Sequence, residues 1–211
     1  HDVGVRVAEA RGRLAADENG GAALFARAAE VTAEAGPREA ALHGFLLAGA
    51  GWLRNRAGEF VEGRTQIEQG VDLLRNAEPG NRRFEATAVI YLGFAFINQG
   101  DYAASLPIAH IAMELGQMAG HRWTKALCLL LMGAAAQLCG RLQEAETHLN
   151  ACHALCAEIG NLTLRIYANY NLVNLAHVIG AYDRCIRLLD ENLTAAREFN
   201  NQIVLADSLS K

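Results

Sequence analysis

Four glycine-centred corners recur along this chain at nearly constant spacing: Gly58-Glu59-Phe60, Gly100-Asp101-Tyr102, Gly140-Arg141-Leu142 and Gly180-Ala181-Tyr182, at steps of 42, 40 and 40 residues. Seven residues ahead of three of them stands another glycine: Gly51, Gly93 and Gly133. A mark returning every 40 residues or so, with helical periodicity between marks, is how stacked helical repeats read in a sequence. Such units cannot bury their apolar faces alone, so neighbours must stack.

Composition agrees with an all-helical chain. Of 211 residues 52% are hydrophobic, and only 3 are proline. Alanine and leucine dominate and β-branched runs are rare, which favours helix. The formal net charge is −4, from 19 basic and 23 acidic residues. The arginine pairs Arg11/Arg13, Arg54/Arg56 and Arg82/Arg83 stand near helix ends and form no basic patch, so direct nucleic-acid contact by this segment is not expected. The longest apolar run, Ala126 to Ala136, is too short to span a bilayer. Five cysteines, Cys128, Cys139, Cys152, Cys156 and Cys185, fall inside apolar helical patterns. There a reduced thiol behaves as a small hydrophobe, and a reducing, cytoplasmic compartment is expected. The chain opens on His1 and stops in a helical pattern at Lys211, and we expect a piece of a longer protein.

Each unit reads as two antiparallel helices, A and B. In the third, Val89, Leu92 and Phe96 follow the three- and four-residue steps of one buried helical face. Gly93 lets a neighbouring helix approach. Gly100 stops the helix, because glycine takes the left-handed conformation at low cost. Asp101 then caps helix B. The same logic places units at about 1–36, 37–78, 79–118, 119–158 and 159–199, with a sixth beginning at 200–211. The first is degenerate, with Asn19-Gly20-Gly21 as its corner. Pro107 lacks a donor inside helix B of unit three and predicts a kink. The expected fold is a single all-α domain: a right-handed superhelical α-solenoid of antiparallel helix pairs with about eleven helices of ~25 Å.

These marks resemble the tetratricopeptide repeat. Leu92-Gly93 and Met132-Gly133 match the Leu-Gly pair of helix A, Gly100-Asp101-Tyr102 matches the corner, and Ser105, Ala145 and Cys185 match the small residue that follows. The likeness runs from about Ala40 to Phe199. Units near 40 residues exceed the usual 34, and the closing proline is missing. Long units of this kind look like the sensor domains of MalT-type, SARP-type and LuxR-type bacterial transcriptional regulators. The resemblance implies a cytoplasmic, non-enzymatic module whose A helices line a concave face that takes a protein or peptide segment or a small effector.

With that register the inward positions are Phe45, Trp52, Asn55 and Arg56 in unit two and Thr87, Phe94, Ile97 and Asn98 in unit three. Leu127, Ala134, Gln137 and Leu138 follow in unit four, and Tyr167, Tyr170, Asn174, His177 and Val178 in unit five. Aromatics supply anchoring pockets, and amides can pair with an extended peptide backbone. Phe94, Leu127 and Leu138 also suit plain packing, whereas repeated amides are costly to bury unpaired. Tyr170-Asn174-His177 forms an i, i+4, i+7 stripe that marks a polar contact patch.

One set of metal-ligand types occurs, His148, Cys152 and Cys156, spaced four apart on one helical face, although Cys152 also falls where helix B packs on helix A. No cofactor is expected. No phosphate loop, His-Glu-x-x-His motif or nucleophile elbow is found, and Glu144-Glu146 and Asp190-Glu191 make no obvious acid/base couple. Two further readings are a peptide-pheromone receptor or scaffolding adaptor, and, more distantly, an all-helical enzyme. Cut solenoid ends expose apolar surface through which two copies can pair as a homodimer.

Overall fold

A glycine with positive φ ends each helix A: Gly58 at 98°, Gly100 at 79°, Gly140 at 76° and Gly180 at 75°. At each corner the next residue's amide reaches back five positions, as in Asp101 N–H to Phe96 O at 3.0 Å, Arg141 to Ala136 at 2.8 Å and Ala181 to Ala176 at 2.8 Å. This paired closure satisfies carbonyls that a helix end leaves open. The four corners are therefore equivalent in conformation as well as in sequence. Between units Gly160, at φ 69°, repeats this closure through Asn161 N–H to Cys156 O at 2.9 Å, and Gly120, at φ 64°, ends α5 with its own N–H on Gln117 O at 3.1 Å.

The computed structural model describes residues 20–21, 23–30, 32–33, 40–77 and 81–198. Its elements are α1 (residues 23–30), α2 (Ala40–Arg56), α3 (Phe60–Asn76), α4 (Arg82–Asn98), α5 (Tyr102–Ala119), α6 (Arg122–Leu138), α7 (Leu142–Glu158), α8 (Leu162–Val178) and α9 (Tyr182–Glu198). Every element among the described residues is helical. Among the described residues there are nine helices where about eleven were expected in the whole chain; positions 1–19 and 199–211, where further helices were expected, lie outside the described residues. Asn19 lies outside them too, and Gly20 and Gly21 are helical rather than at a corner. Helix α5 runs continuously through Pro107, which is on its exposed side.

Pairs α2/α3, α4/α5, α6/α7 and α8/α9 form antiparallel hairpins, and each hairpin stacks on the next. Successive A helices (α2, α4, α6, α8) also pack on one another, whereas successive B helices stand further apart, α7 and α9 being joined by the Arg184–Glu146 ion pair. The result is an α-solenoid like that of tetratricopeptide arrays, with the A helices as the enclosed layer. Burial follows from that position. Helix α6 buries twelve of its 17 residues, Thr124, Ala126–Ala136, whereas its partner α7 buries Ala145, Leu149, Cys152 and Cys156 only. Capping is local: the Asp101 carboxylate accepts the Ala104 amide at 3.1 Å and Asn161 Oδ1 that of Leu164 at 3.0 Å. At the far end Val178, Ile179, Tyr182 and Ile186 are exposed. No described helix is long and apolar enough to cross a membrane.

Close approach depends on missing side chains. A Cβ on Gly51 would stand 2.5 Å from the Gly63 carbonyl oxygen, and one on Gly70 2.5 Å from that of Gly44. Two glycine pairs, seven residues apart on each helix, thus bring the α2 and α3 backbones into contact. Later glycines admit leucines: in the α6/α7 hairpin Gly133 receives Leu149, and in α4 Gly93 receives Leu131 from α6, the next helix A. We expect Gly51→Ala to lower the unfolding free energy by about 1–3 kcal/mol, since overpacking against backbone cannot relax by a rotamer change. Urea denaturation followed by circular dichroism measures this; an unchanged midpoint would show that the helices separate freely.

Candidate functional site

Between the A helices runs an open trough of about 690 Å³. Helix α2 contributes Trp52, Asn55 and Arg56 from its last turns, with Phe60 beyond the corner. From α4 come Ile90, Tyr91, Phe94, Ile97 and Asn98, and from α6 Trp123, Leu127, Leu130, Ala134 and Leu138. Helix α8 closes it with Leu164, Tyr167 and Asn171 near its start. The course is oblique: it begins at the C-terminal end of α2 and finishes on the N-terminal half of α8. Trp52, Phe94 and Ala134 are equivalent positions of successive units, so the change from ring to methyl leaves room beside Leu138, which is 44% exposed.

One end is an aromatic cluster. The rings of Trp52 and Tyr91 stack at 5.3 Å with planes 3° apart, and Phe94 tilts against Trp52 at 5.8 Å. The Arg56 guanidinium sits over the Trp52 ring at 5.8 Å, a distance at which the cation is attracted by the ring face. Burial pushes the Tyr91 hydroxyl above its ordinary pKa, so it stays a neutral hydrogen-bonding group. Trp52, Tyr91, Phe94, Trp123 and Tyr167 are all half-buried. Each gives part of a ring to the packing and leaves part to the trough.

The amides behave differently from one another. Asn55 is fully buried. It accepts from Asn98 Nδ2 at 2.6 Å and donates to the Phe60 carbonyl at 3.5 Å. Gln99 donates to that same carbonyl at 2.7 Å and accepts from Arg64 at 2.7 Å. The network knits α2, α3 and α4 together, so Asn55 is a structural clasp with an edge on the trough. Asn98 remains exposed beside it.

Of the residues expected inside, Trp52, Asn55, Arg56, Phe94, Ile97, Asn98, Leu127, Ala134, Leu138 and Tyr167 line the trough. Phe45, Thr87, Gln137, Tyr170, Asn174, His177 and Val178 do not. Phe45 stacks on Phe84 at 4.6 Å. Thr87 is buried and donates to the Arg83 carbonyl at 2.9 Å. Gln137 Oε1 is buried with no hydrogen-bond partner. His177 is exposed, edge-on to Tyr182 at 6.1 Å. The reason is the oblique course: it leaves the first half of α2 and the second half of α8, and with it the Tyr170-Asn174-His177 stripe, to one side. Sequence reasoning missed Phe60, Ile90, Tyr91, Trp123, Leu130, Leu164 and Asn171. Trp123 had a signal, as one of only two tryptophans in the chain.

The His148, Cys152 and Cys156 set does not converge on a metal position. The Cys152 thiol donates to the Ala126 carbonyl at 3.2 Å, Cys156 Sγ stands 3.9 Å from it, and His148 lies 3.9 Å from the Glu144 carboxylate. No group of three His, Cys, Asp or Glu side chains suited to a metal occurs among the described residues. The thiols are core: Cys128, Cys152, Cys156 and Cys185 are buried, Cys139 alone is exposed, and all five are free. Burial pushes the Cys128 thiol up to about 12. The hydrogen bond with Cys156, then burial, raises that of Cys152 further.

Two outcomes follow from this packing. Asn98→Ala leaves the buried Asn55 amide without its partner and should cost about 1–3 kcal/mol in urea unfolding. The Asn55→Ala/Asn98→Ala pair should cost less than the two single changes added; strict additivity would contradict the clasp. In the native protein at pH 8, Ellman's reagent should titrate one thiol rapidly, Cys139, and all five in denaturant. Rapid native reaction of two or more would contradict the burial described.

No protein-family model matches the sequence, and no curated protein sequence is significantly similar to it. Solved structures share the fold. A Rap protein complexed with competence and sporulation factor superposes with a TM-score of 0.73 at 15% sequence identity, over 80% of this chain and 46% of that one. BtubC (BKLC) from P. vanneervenii gives 0.69 at 11% identity, over 87% of this chain and 74% of that one. The apo form of RapI gives 0.68 at 10% identity, over 87% and 52%. This chain thus spans about half the length of the two Rap chains. At these identities the likeness is one of fold, and it puts the chain among tetratricopeptide-like helical-repeat solenoids.

Proposed function

We propose that the trough captures an extended peptide or protein segment that carries aromatic or branched aliphatic anchors. The observation that carries this reading is the row of half-buried rings, Trp52, Tyr91, Phe94, Trp123 and Tyr167, along one open channel. Half-buried aromatics at the centre of a concave surface are where binding energy concentrates. Length favours a peptide over a compact effector. Four A helices at interaxial spacings of about 8–10 Å give a channel of roughly 25–30 Å, enough for about eight extended residues at ~3.3 Å each. Asn98 and Asn171 offer both donors and acceptors to a passing backbone. Arg56 is the one charged side chain among the described residues of the lining and gives that end a positive charge.

Among the described residues the lining holds no carboxylate, imidazole, thiol or serine, and its chemistry suits binding rather than bond-making. The Rap structure complexed with competence and sporulation factor supports ligand capture by a solenoid of this fold. Within that class we favour the sensor or interaction module of a bacterial transcriptional regulator, on the strength of the resemblance of the long units. A reducing cytoplasm suits its five free thiols. A nucleotide-binding domain or a helix-turn-helix in the parent chain would support the regulator; a parent of about this length would support an adaptor.

Both tryptophans of the chain line the trough, so intrinsic fluorescence reports its occupancy directly. Peptides selected from a random displayed library should be enriched in aromatic and aliphatic residues and should shift the tryptophan emission saturably. Leu138→Asp, at an exposed position of the lining, should weaken them at least tenfold with the circular dichroism spectrum unchanged. Selected peptides that leave the emission unmoved and bind Leu138→Asp equally well would show that the trough is not the capture site.

A further inference from the structure

In unit five the repeat breaks its own apolar rule at two buried positions. Where helix A carries Val89 and Leu129 in the preceding units, α8 has Asn169; where helix B carries Ala112 and Cys152, α9 has Asn192. Both amides are nearly inaccessible, at 4% and 2% exposure. They line a second cleft, of about 530 Å³, between α7 and α9 with α8 as its floor. His153 comes from α7, Arg165 from α8, and Asp190 and Glu191 from α9. Asn169 Nδ2 donates to the Glu191 carboxylate at 3.3 Å, and its Oδ1 is buried with no hydrogen-bond partner.

A buried carbonyl oxygen without a donor is costly, and natural proteins tolerate it chiefly where something else supplies the donor. Leucine at 129 shows that the fold does not need an amide there. The charged groups around the cleft are one guanidinium and two carboxylates, a net of −1. The His153 imidazole is held below its ordinary pKa by burial and by Arg165, against the opposing pull of Glu191, and so adds no positive charge near neutrality. An acidic cleft with an unfilled acceptor at its floor suits a cation that can donate hydrogen bonds.

We propose that this cleft binds a primary ammonium head, whose N–H groups fill Asn169 Oδ1 and the Glu191 carboxylate. The cleft shares no residue with the trough and lies on the opposite side of α8: Arg165 and Asn169 face one way, Leu164, Tyr167 and Asn171 the other. The two sites are therefore separable by experiment. The head can belong to a free amino acid, whose carboxylate would meet Arg165, or to an alkylamine such as a lysine side chain.

The test is an NMR titration of the whole chain with glycine, n-butylammonium and tetramethylammonium, the last having charge but no N–H. Saturable shifts of the Asn169 side-chain amide and the His153 imidazole are expected with the first two and not with the third. Glycine binding more tightly than n-butylammonium identifies an amino-acid site; the reverse order identifies an amine site. Asn169→Leu, which copies Leu129, should abolish the response while raising the thermal midpoint. Glu191→Gln, at an exposed position, should weaken binding at least tenfold and covers the case in which Asn169→Leu fails to fold. The proposal is overturned if neither primary ammonium gives saturable shifts at millimolar concentration. Equal effects of tetramethylammonium, or unchanged binding by Glu191→Gln, overturn it as well.

Discussion

The closest approach of a helix A to its helix B in this protein comes where no side chain stands between them. In the α2/α3 hairpin that condition is met in its strongest form, by glycine facing glycine at Gly51/Gly63 and Gly44/Gly70. In the α6/α7 hairpin one glycine accepts a leucine instead, Gly133 taking Leu149. The close spacing sets how far each A helix is pulled into its hairpin, and through that how the A helices meet across units. Van der Waals contact at this range is short-ranged and intolerant of a single added carbon. These few missing side chains fix how closely α2 meets α3 and α6 meets α7.

That geometry separates the two faces of the chain chemically. The A helices are enclosed, so their sequences are apolar almost all round, as in α6. Two of the polar groups they hold near the inner surface are paired with each other. Asn55 and Asn98 are that pair: one amide is sealed in by its neighbour's hydrogen bond, and the neighbour keeps an edge in solvent. The outer helices carry exposed ion pairs such as Arg64–Glu68 at 3.4 Å and Arg75–Asp72 at 3.7 Å, and the A helices carry ion pairs at their ends, as in Arg82–Glu85 at 2.7 Å. Exposed pairs of that kind contribute little to stability, about 0–1 kcal/mol. Apolar burial between hairpins is the dominant favourable contribution here.

The trough was legible in part, and the boundary of that part has a physical cause. Trp52, Phe94 and Ala134 share one register position, and counting forty residues along the chain finds them. The same counting placed Phe45 and Asn174 beside them, because a repeat read in one dimension treats every unit as a copy of the last. The channel instead drifts along the helices as it crosses them, from the end of α2 to the start of α8. Tyr91 and Trp123 enter it through that drift, whereas Leu131 and Thr163, forty residues further on, do not line it. The His148, Cys152 and Cys156 spacing was correct as helical geometry, yet the thiols turn to backbone carbonyls in the core.

What the amino-acid sequence determined by itself was the set of corners, the helix lengths and the apolar faces. Those depend on interactions within a few residues: a left-handed glycine, a cap, a three- and four-residue rhythm. What only the tertiary structure decided was which side chains share a space. Gly51 meeting Gly63, Asn98 reaching Asn55 and the slant of the aromatic row depend on how rigid hairpins rotate against each other. That rotation is the sum of many contacts between residues distant in the chain, and no single residue encodes it.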